Sequence, residues 1–385
     1  MKYAIKIKIK FIFLVLSLSL GMSQKSNSAS KRSGTLDLLR FLAILYIYFA
    51  HFADSFNYVY QIVPSNLKYT QIARYGSIAL VIFFIVSAFV VTMTSMKRSA
   101  KEFFLIRFSR LYPLFWVSCL VGFLISRYSP FPTYIAYNTV KDLLANATMI
   151  PSLLGVHLIN PVYHTLVIEI GFYLFIVFII AFKLWDKILG ILLLFVLISF
   201  VGVLMSVWLF SIVTPFIAGM LFYFMYSKKY TQWKVYALAV VNFVTALLCS
   251  KSLADDIDKY YNQVGSASPY IFAILITLIY GIFLLVAFRK LNIPGSVFLQ
   301  KLGELSYPFF LFHIYFLGIY WYFRNTIPGD ILLFGLAIVI AIICLLINIL
   351  VEKPINQLFA KFLSIIGELL EDRKRKSKAK LHSAE

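Results

Sequence analysis

Long apolar runs, each closed by charged or turn-forming residues, set the pattern of this chain. They fall at about 36–56, 76–96, 111–127, 161–182, 188–204, 207–226, 235–250, 269–288, 305–323 and 330–351. An α-helix needs roughly 20 apolar residues to cross the hydrocarbon core of a bilayer. The pattern therefore predicts an all-α polytopic membrane protein with about ten transmembrane helices. The stretch 188–226 is continuous and too long for one helix, so the reading splits it as a tight hairpin near Met205–Ser206.

Composition agrees. Of 385 residues, 61% are apolar and only 14% charged, and mean hydropathy is +0.87. Soluble domains lie nearer half apolar and a quarter charged. A soluble enzyme, a disordered protein and a collagen-like chain are excluded. The net charge of +20 would suggest nucleic acid in a soluble protein, but here its sign has to be read loop by loop. With the N-terminus inside, the cytoplasmic segments carry 24 Lys and Arg and the outer loops seven. That asymmetry is the positive-inside pattern, and it puts both termini in the cytoplasm. Cys119, Cys249 and Cys344 stand singly inside apolar runs, with no metal spacing and no disulfide framework.

Four segments are expected. Residues 1–21 have a Lys-rich start and an apolar stretch too short to span, which reads as a signal-like or artefactual extension; either Met1 or Met22 is the true start. A polar cytoplasmic segment follows at 22–35, then the transmembrane domain at 36–354. A basic cytoplasmic tail, 355–385, is read as a topology anchor on anionic lipid.

Ionisable groups inside membrane spans are costly, and each is a functional candidate. Arg40 and His51 are 11 residues apart on the first span, within about 20° of one helix face and about 16 Å apart along the axis. The shared face suggests that both line one cavity; snorkelling is the alternative for Arg40. Arg107 and Arg110 stand at i, i+3 at the cytoplasmic end of the third span, a fork suited to phosphate or to simple anchoring. Glu169 falls about 12 Å below the outer surface and His51 about 8 Å, counting helix rise. At one depth they would form a carboxylate–imidazole dyad, or an interhelical hydrogen bond. His313 lies near mid-membrane beneath Ser306–Tyr307 and either lines the same path or joins helices. His157 and His164 fall on or near an outer loop, and the acidic loop around Asp255, Asp256 and Asp258 reads as solvated. No nucleotide-binding, zinc-protease or hydrolase signature is present, and no metal is expected.

With these residues in order, the chain resembles the acyltransferase-3 family of membrane acyltransferases. Arg40 and His51 match its Arg-x10-His signature. GSIALVIFFIVSAFVV is similar to its FFxxSGF block and RFSRLYPLFW to its Arg-x-x-Arg block. TLVIEIGFYL, LGELSYPFFLFH and VEKP follow in the family's order. The resemblance implies transfer of an acyl group, usually acetyl, from cytoplasmic acyl-CoA to a hydroxyl of a cell-surface or lipid-linked glycan, in a bacterial inner membrane. On that reading His51, Glu169 and Arg40 are catalytic, and Arg107 and Arg110 hold the CoA phosphates. His51 takes the hydroxyl proton or relays the acyl group, and Ser87, Tyr307 and His313 are candidate oxyanion donors. With His164, those three are also candidate cavity-lining residues.

Three departures stand out. Ala88 replaces the Gly expected after Ser87, Val81 stands where many members have an acid, and His164 occupies a usual Trp position. The rival reading is a transporter or flippase of a glycan or small solute using the same polar layer.

Overall fold

A computed structural model describes residues 33–55, 69–131, 139–205, 208–263, 265–359 and 361–362. The expected extension at 1–21, most of 22–35 and the basic run after Arg373 lie outside the described residues. Among the described residues, twelve α-helices longer than one turn are present: α1 Gly34–Ala50, α2 Ile78–Ser95, α3 Ala100–Tyr128, α4 Val140–Ala147, α5 Tyr163–Ala181 and α6 Ile188–Leu204, then α7 Trp208–Ser227, α8 Gln232–Tyr261, α9 Pro269–Ala287, α10 Val297–Phe312, α11 Leu317–Phe323 and α12 Gly329–Ile347. Among the described residues nine helical segments are long and apolar enough to cross a membrane, and the apolar helix Ile212–Ser227 within α7 is shorter. The expected split is there: α6 ends at Leu204 and α7 begins at Trp208, while Ser206 of the expected hairpin lies outside the described residues.

Lipid tails give no hydrophobic drive for helices to associate, so close packing and interhelical hydrogen bonds hold such bundles together. Small residues supply the close approaches. A Cβ on Gly219 of α7 would stand 2.4 Å from the Ile85 carbonyl and 2.6 Å from Ala88 Cβ of α2. Ala88, the departure noted above, is thus accommodated because Gly219 opposite it has no side chain. Gly303 of α10 likewise makes room for Asp37 of α1. Polar ties do the rest. Tyr280 donates to Asn242 Oδ1 at 2.8 Å, and Asn242 Nδ2 donates to the Thr214 carbonyl, joining α9, α8 and α7. Tyr48 donates to the Leu333 carbonyl at 2.7 Å, joining α1 to α12.

The connection from α3 to α5, expected as an outer loop, folds back along α3 instead. Trp116 Nε1 donates to the Ala147 carbonyl and Tyr112 to that of Thr148. Met149 is buried beyond them. Asn146 makes this possible by accepting from the Ile159 N–H and donating to the His157 carbonyl. Backbone groups at this depth must be satisfied within the protein, and one amide side chain does so for two of them.

Candidate active site

Two cavities open at opposite ends of α1. The first, about 570 Å³, is lined by Arg40, Arg110, Arg289 and Lys353 together with Asp37, Glu304 and Glu352. Lys353 is paired with Glu304 at 3.0 Å, and three guanidiniums and two further carboxyl groups line the same walls. Arg289 stacks over Tyr226, 4.4 Å from the ring centroid. The second cavity, about 370 Å³, is lined by His51, Asp54, Arg74, His164, Thr165, Tyr260 and Tyr261. A neck of about 40 Å³ adjoins the first cavity, lined by Arg40, Ser87, Arg107, Arg110, Glu169, Tyr173 and Tyr307. Phe83 of the neck stacks on Phe310 of the second cavity, with centroids 6.1 Å apart, so an aromatic pair separates the two.

Local distortions of the helices aim the histidines. At the end of α1 the backbone widens into a π-turn, His51–Ser55, a feature that recurs at functional sites. It carries His51 and Asp54 together towards the second cavity. Opposite it, α10 contains Pro308 and gives way at His313 to a 3₁₀ turn, His313–Phe316. There His313, fully buried, places its Nδ1 2.9 Å from the Phe310 carbonyl and 3.0 Å from that of Phe309. Its Nε2 meets His51 Nδ1 at 3.0 Å.

The neck holds a second polar group. Glu169 Oε1 accepts from Ser87 at 2.7 Å and from Tyr173 at 2.5 Å. Arg107, also buried, donates to Thr94 Oγ1 at 2.7 Å and sits against the rings of Phe103 and Tyr173.

Several expectations are corrected. Glu169 is not the partner of His51: its hydrogen bonds go to Ser87 and Tyr173. Counting depth from the end of the apolar run fails because α5 begins deep. Tyr163 at its start is buried and hydrogen-bonded to Ser118 and Tyr315. Six residues further on, about 9 Å along the helix, Glu169 has passed into the neck. Arg40 and His51 share a face of α1 but line different cavities, because the buried Ile44 and Ile47 fill the intervening turns. Arg107 and Arg110 do not form a symmetric fork. Only Arg110 reaches the large cavity, while Arg107 turns inward to the neck. His313 lines none of these cavities and stands behind His51. The three expected oxyanion donors also have their protons engaged, since Ser87 donates to Glu169, Tyr307 to the Leu111 carbonyl at 2.7 Å, and His313 to backbone carbonyls.

Sequence reasoning passed over Asp37, Asp54, Arg74, Arg289, Glu304 and Tyr261. Asp54 accepts from the Tyr261 hydroxyl and lies 3.8 Å from Arg74 Nε. Its spacing of three from His51 was the available signal. Glu352 stands in the VEKP block, and the structure adds that it faces the arginine-lined cavity and accepts from Asn348 at 2.7 Å.

An all-helical, multi-pass integral membrane protein with a cationic cavity at one end and a histidine-lined one at the other is the class these observations define. The chain belongs to the acyltransferase-3 family: the family model, described as an acyltransferase domain, matches residues 34–350. It is accordingly a membrane acyltransferase. No curated protein and no solved structure matches it.

Proposed function

We propose that the enzyme transfers an acyl group, acetyl in the simplest case, from acyl-CoA in the arginine-lined cavity to a hydroxyl of a cell-surface or lipid-linked glycan in the histidine-lined cavity. The arginine-lined end faces the cytoplasm of a bacterial cell on this reading, as the charge asymmetry of the loops requires. The observation that carries it is the separation of a cationic cavity from a histidine that faces the other one.

The first cavity suits the donor. Its volume is typical of sites for small ligands and cofactors, and Arg40, Arg110 and Arg289 offer the planar, bidentate donors that phosphate oxygens take. The buried Arg107 Nε has no hydrogen-bond partner among the described residues and faces the same path. Acyl-CoA supplies the activated thioester carbonyl. The chain's own part is to hold the phosphates at the mouth, admit a narrow arm through the neck and present a base at its far side. Direct transfer forms the acceptor O–C bond and breaks the C–S bond. The hydroxyl proton passes to His51 Nε2 and on to the departing sulfur. A relay through an acyl-His51 uses the same nitrogen and reaches the same products.

The test is release of free thiol from acetyl-CoA by the purified protein in lipid vesicles, with labelling of an added glycan extract, for wild type, His51→Ala and Arg110→Ala. We expect thiol release and label with wild type. His51→Ala should lose turnover with donor binding retained, and Arg110→Ala should weaken binding of labelled CoA. Turnover by His51→Ala at the wild-type rate would overturn the assignment.

A further inference from the structure

The pairing of His51 with His313 carries more than proximity. The carbonyls of Phe309 and Phe310 can only accept, so His313 Nδ1, 3.0 and 2.9 Å from them, is the nitrogen that carries a proton. His313 is fully buried, and a buried ring is cheapest in its neutral form. Its Nε2 then holds a lone pair and accepts. Across the 3.0 Å contact His51 Nδ1 must donate, and in a neutral imidazole this leaves the basic lone pair on His51 Nε2. The two rings lie within 13° of parallel, which lets the donor of one point into the lone pair of the other.

We propose that His313 is a positioning residue for the acyl transfer: it fixes the tautomer and ring plane of His51, with the Phe309 and Phe310 carbonyls as the anchor. This rests on the reading of His51 as the group that takes the acceptor proton. The arrangement does with a neutral ring what a buried carboxylate does behind the histidine of hydrolytic triads. It also answers the misassigned dyad, because the role expected of Glu169 falls to His313. The anchor is built into the fold. The carbonyls it uses belong to the last turn of α10, where the switch to a 3₁₀ turn exposes them to a side chain.

Two substitutions separate positioning from packing. His313→Gln places an amide oxygen near the Nε2 position, where it accepts from His51 Nδ1–H. His313→Leu fills the space and removes the acceptor. Two readouts are needed: steady-state thiol release from acetyl-CoA in vesicles, and the ¹⁵N spectrum of histidine-labelled protein, which distinguishes protonated from bare ring nitrogens. We expect His313→Gln to keep kcat within about threefold, and His313→Leu to lower it about ten- to a hundredfold, the scale on which removing a ring-orienting partner acts. The KM for acetyl-CoA should stay within about twofold in both. The His51 Nδ1–H signature should persist in His313→Gln and give way to mixed tautomers in His313→Leu.

Equal loss of kcat in both variants with the wild-type signature retained would overturn the proposal, as would full activity in His313→Leu. If His313→Leu does not fold, His313→Gln decides alone, and its inactivity overturns the proposal. A His51→Ala enzyme of wild-type rate would instead sink the role of His51 and leave the spectroscopic pairing standing, so the two failures are distinguishable.

Discussion

Replacing Gly303 by alanine tests how tightly the arginine-lined cavity is built. A Cβ there would stand 2.3 Å from Asp37 Oδ1, 2.7 Å from its Cγ and 2.9 Å from its Cβ. Relief to an ordinary contact of about 3.5 Å requires the carboxyl to move by roughly 1 Å. Little around it yields. Asp37 is buried, and the start of α1 is strapped to the connection before α10 by Gly34 N–H to the Ile293 carbonyl at 3.1 Å and Ile293 N–H to Thr35 Oγ1 at 2.8 Å. Overpacking of this kind costs about 1–3 kcal/mol. Because Asp37 and Arg40 share one turn of α1 and one cavity wall, part of that strain should appear as weaker donor binding. At about 1.4 kcal/mol per tenfold, we expect a rise in the KM for acetyl-CoA of about three- to tenfold. Equilibrium unfolding in mixed detergent, together with that KM, measures both effects. Asp37→Ala removes the two closest clashing atoms, so the same Gly303→Ala change should cost at least about 1 kcal/mol less in that background. A Gly303→Ala penalty that is equal in the two backgrounds would refute the geometry on which this reasoning rests.

Other perturbations address other parts of the molecule. Phe310→Ala opens the aromatic pair between neck and histidine-lined cavity, and thiol release from acetyl-CoA without acceptor should rise severalfold; an unchanged background rate would mean that the pair does not seal the path. Arg74→Ala removes a cation from beside the buried Asp54 and an indicated donor to the Ser266 carbonyl at 3.1 Å. A loss of about 2–3 kcal/mol in unfolding free energy follows, whereas a loss under about 0.5 kcal/mol would show that Tyr261 alone satisfies Asp54. Gly219→Leu should abolish the folded protein, since even a Cβ lies 2.4 Å from the Ile85 carbonyl, and recovery of monodisperse protein at wild-type yield would contradict this packing. A nitroxide at Leu153, exposed on the segment that folds back along α3, should relax faster with lipid-soluble oxygen than with a water-soluble nickel chelate. The reverse order would place that segment in water.

The helices were legible because bilayer length and apolarity constrain them directly: each of the ten apolar runs contains a helix, and the break after Leu204 follows from length alone. His51, Arg40 and Arg110 were legible because charge inside a span is costly enough to be conspicuous. Partnership was not legible. It depends on where each helix starts relative to its neighbours, and a polar cluster such as Ser118, Tyr163 and Tyr315 sinks the start of α5 without changing its apolar pattern. Side-chain direction at helix irregularities was hidden too. Neither the π-turn at His51 nor the 3₁₀ turn at His313 has a sequence signature beyond Pro308. Arg74 and Asp54 escaped notice because each looks like an ordinary interfacial charge until both are seen on one cavity wall.

The neck bears on the choice between moving a group and moving a whole solute. Its volume, about 40 Å³, is less than a tenth of the 570 Å³ of the cavity it adjoins. A sugar cannot pass without parting α1, α2, α3 and α10, which supply Arg40, Ser87, Arg110 and Tyr307 to its wall. Those helices meet through Gly303 against Asp37 and through Tyr307 against Leu111, contacts that leave little room for rocking. A thioester arm asks for much less: side-chain movements at Phe83 and Phe310 and passage beside the buried Arg107. Glu169 then has a role that needs no contact with His51. Held by Ser87 and Tyr173, its carboxyl stands on the wall that also carries Arg40, Arg107 and Arg110. Glu169→Gln keeps an oxygen for both donors and exchanges the carboxyl for an amide. The proposed acyl transfer therefore expects that variant to fold normally and to bind labelled CoA at least as tightly as wild type, with turnover reduced. A variant that loses CoA binding while remaining folded would refute this reading of Glu169.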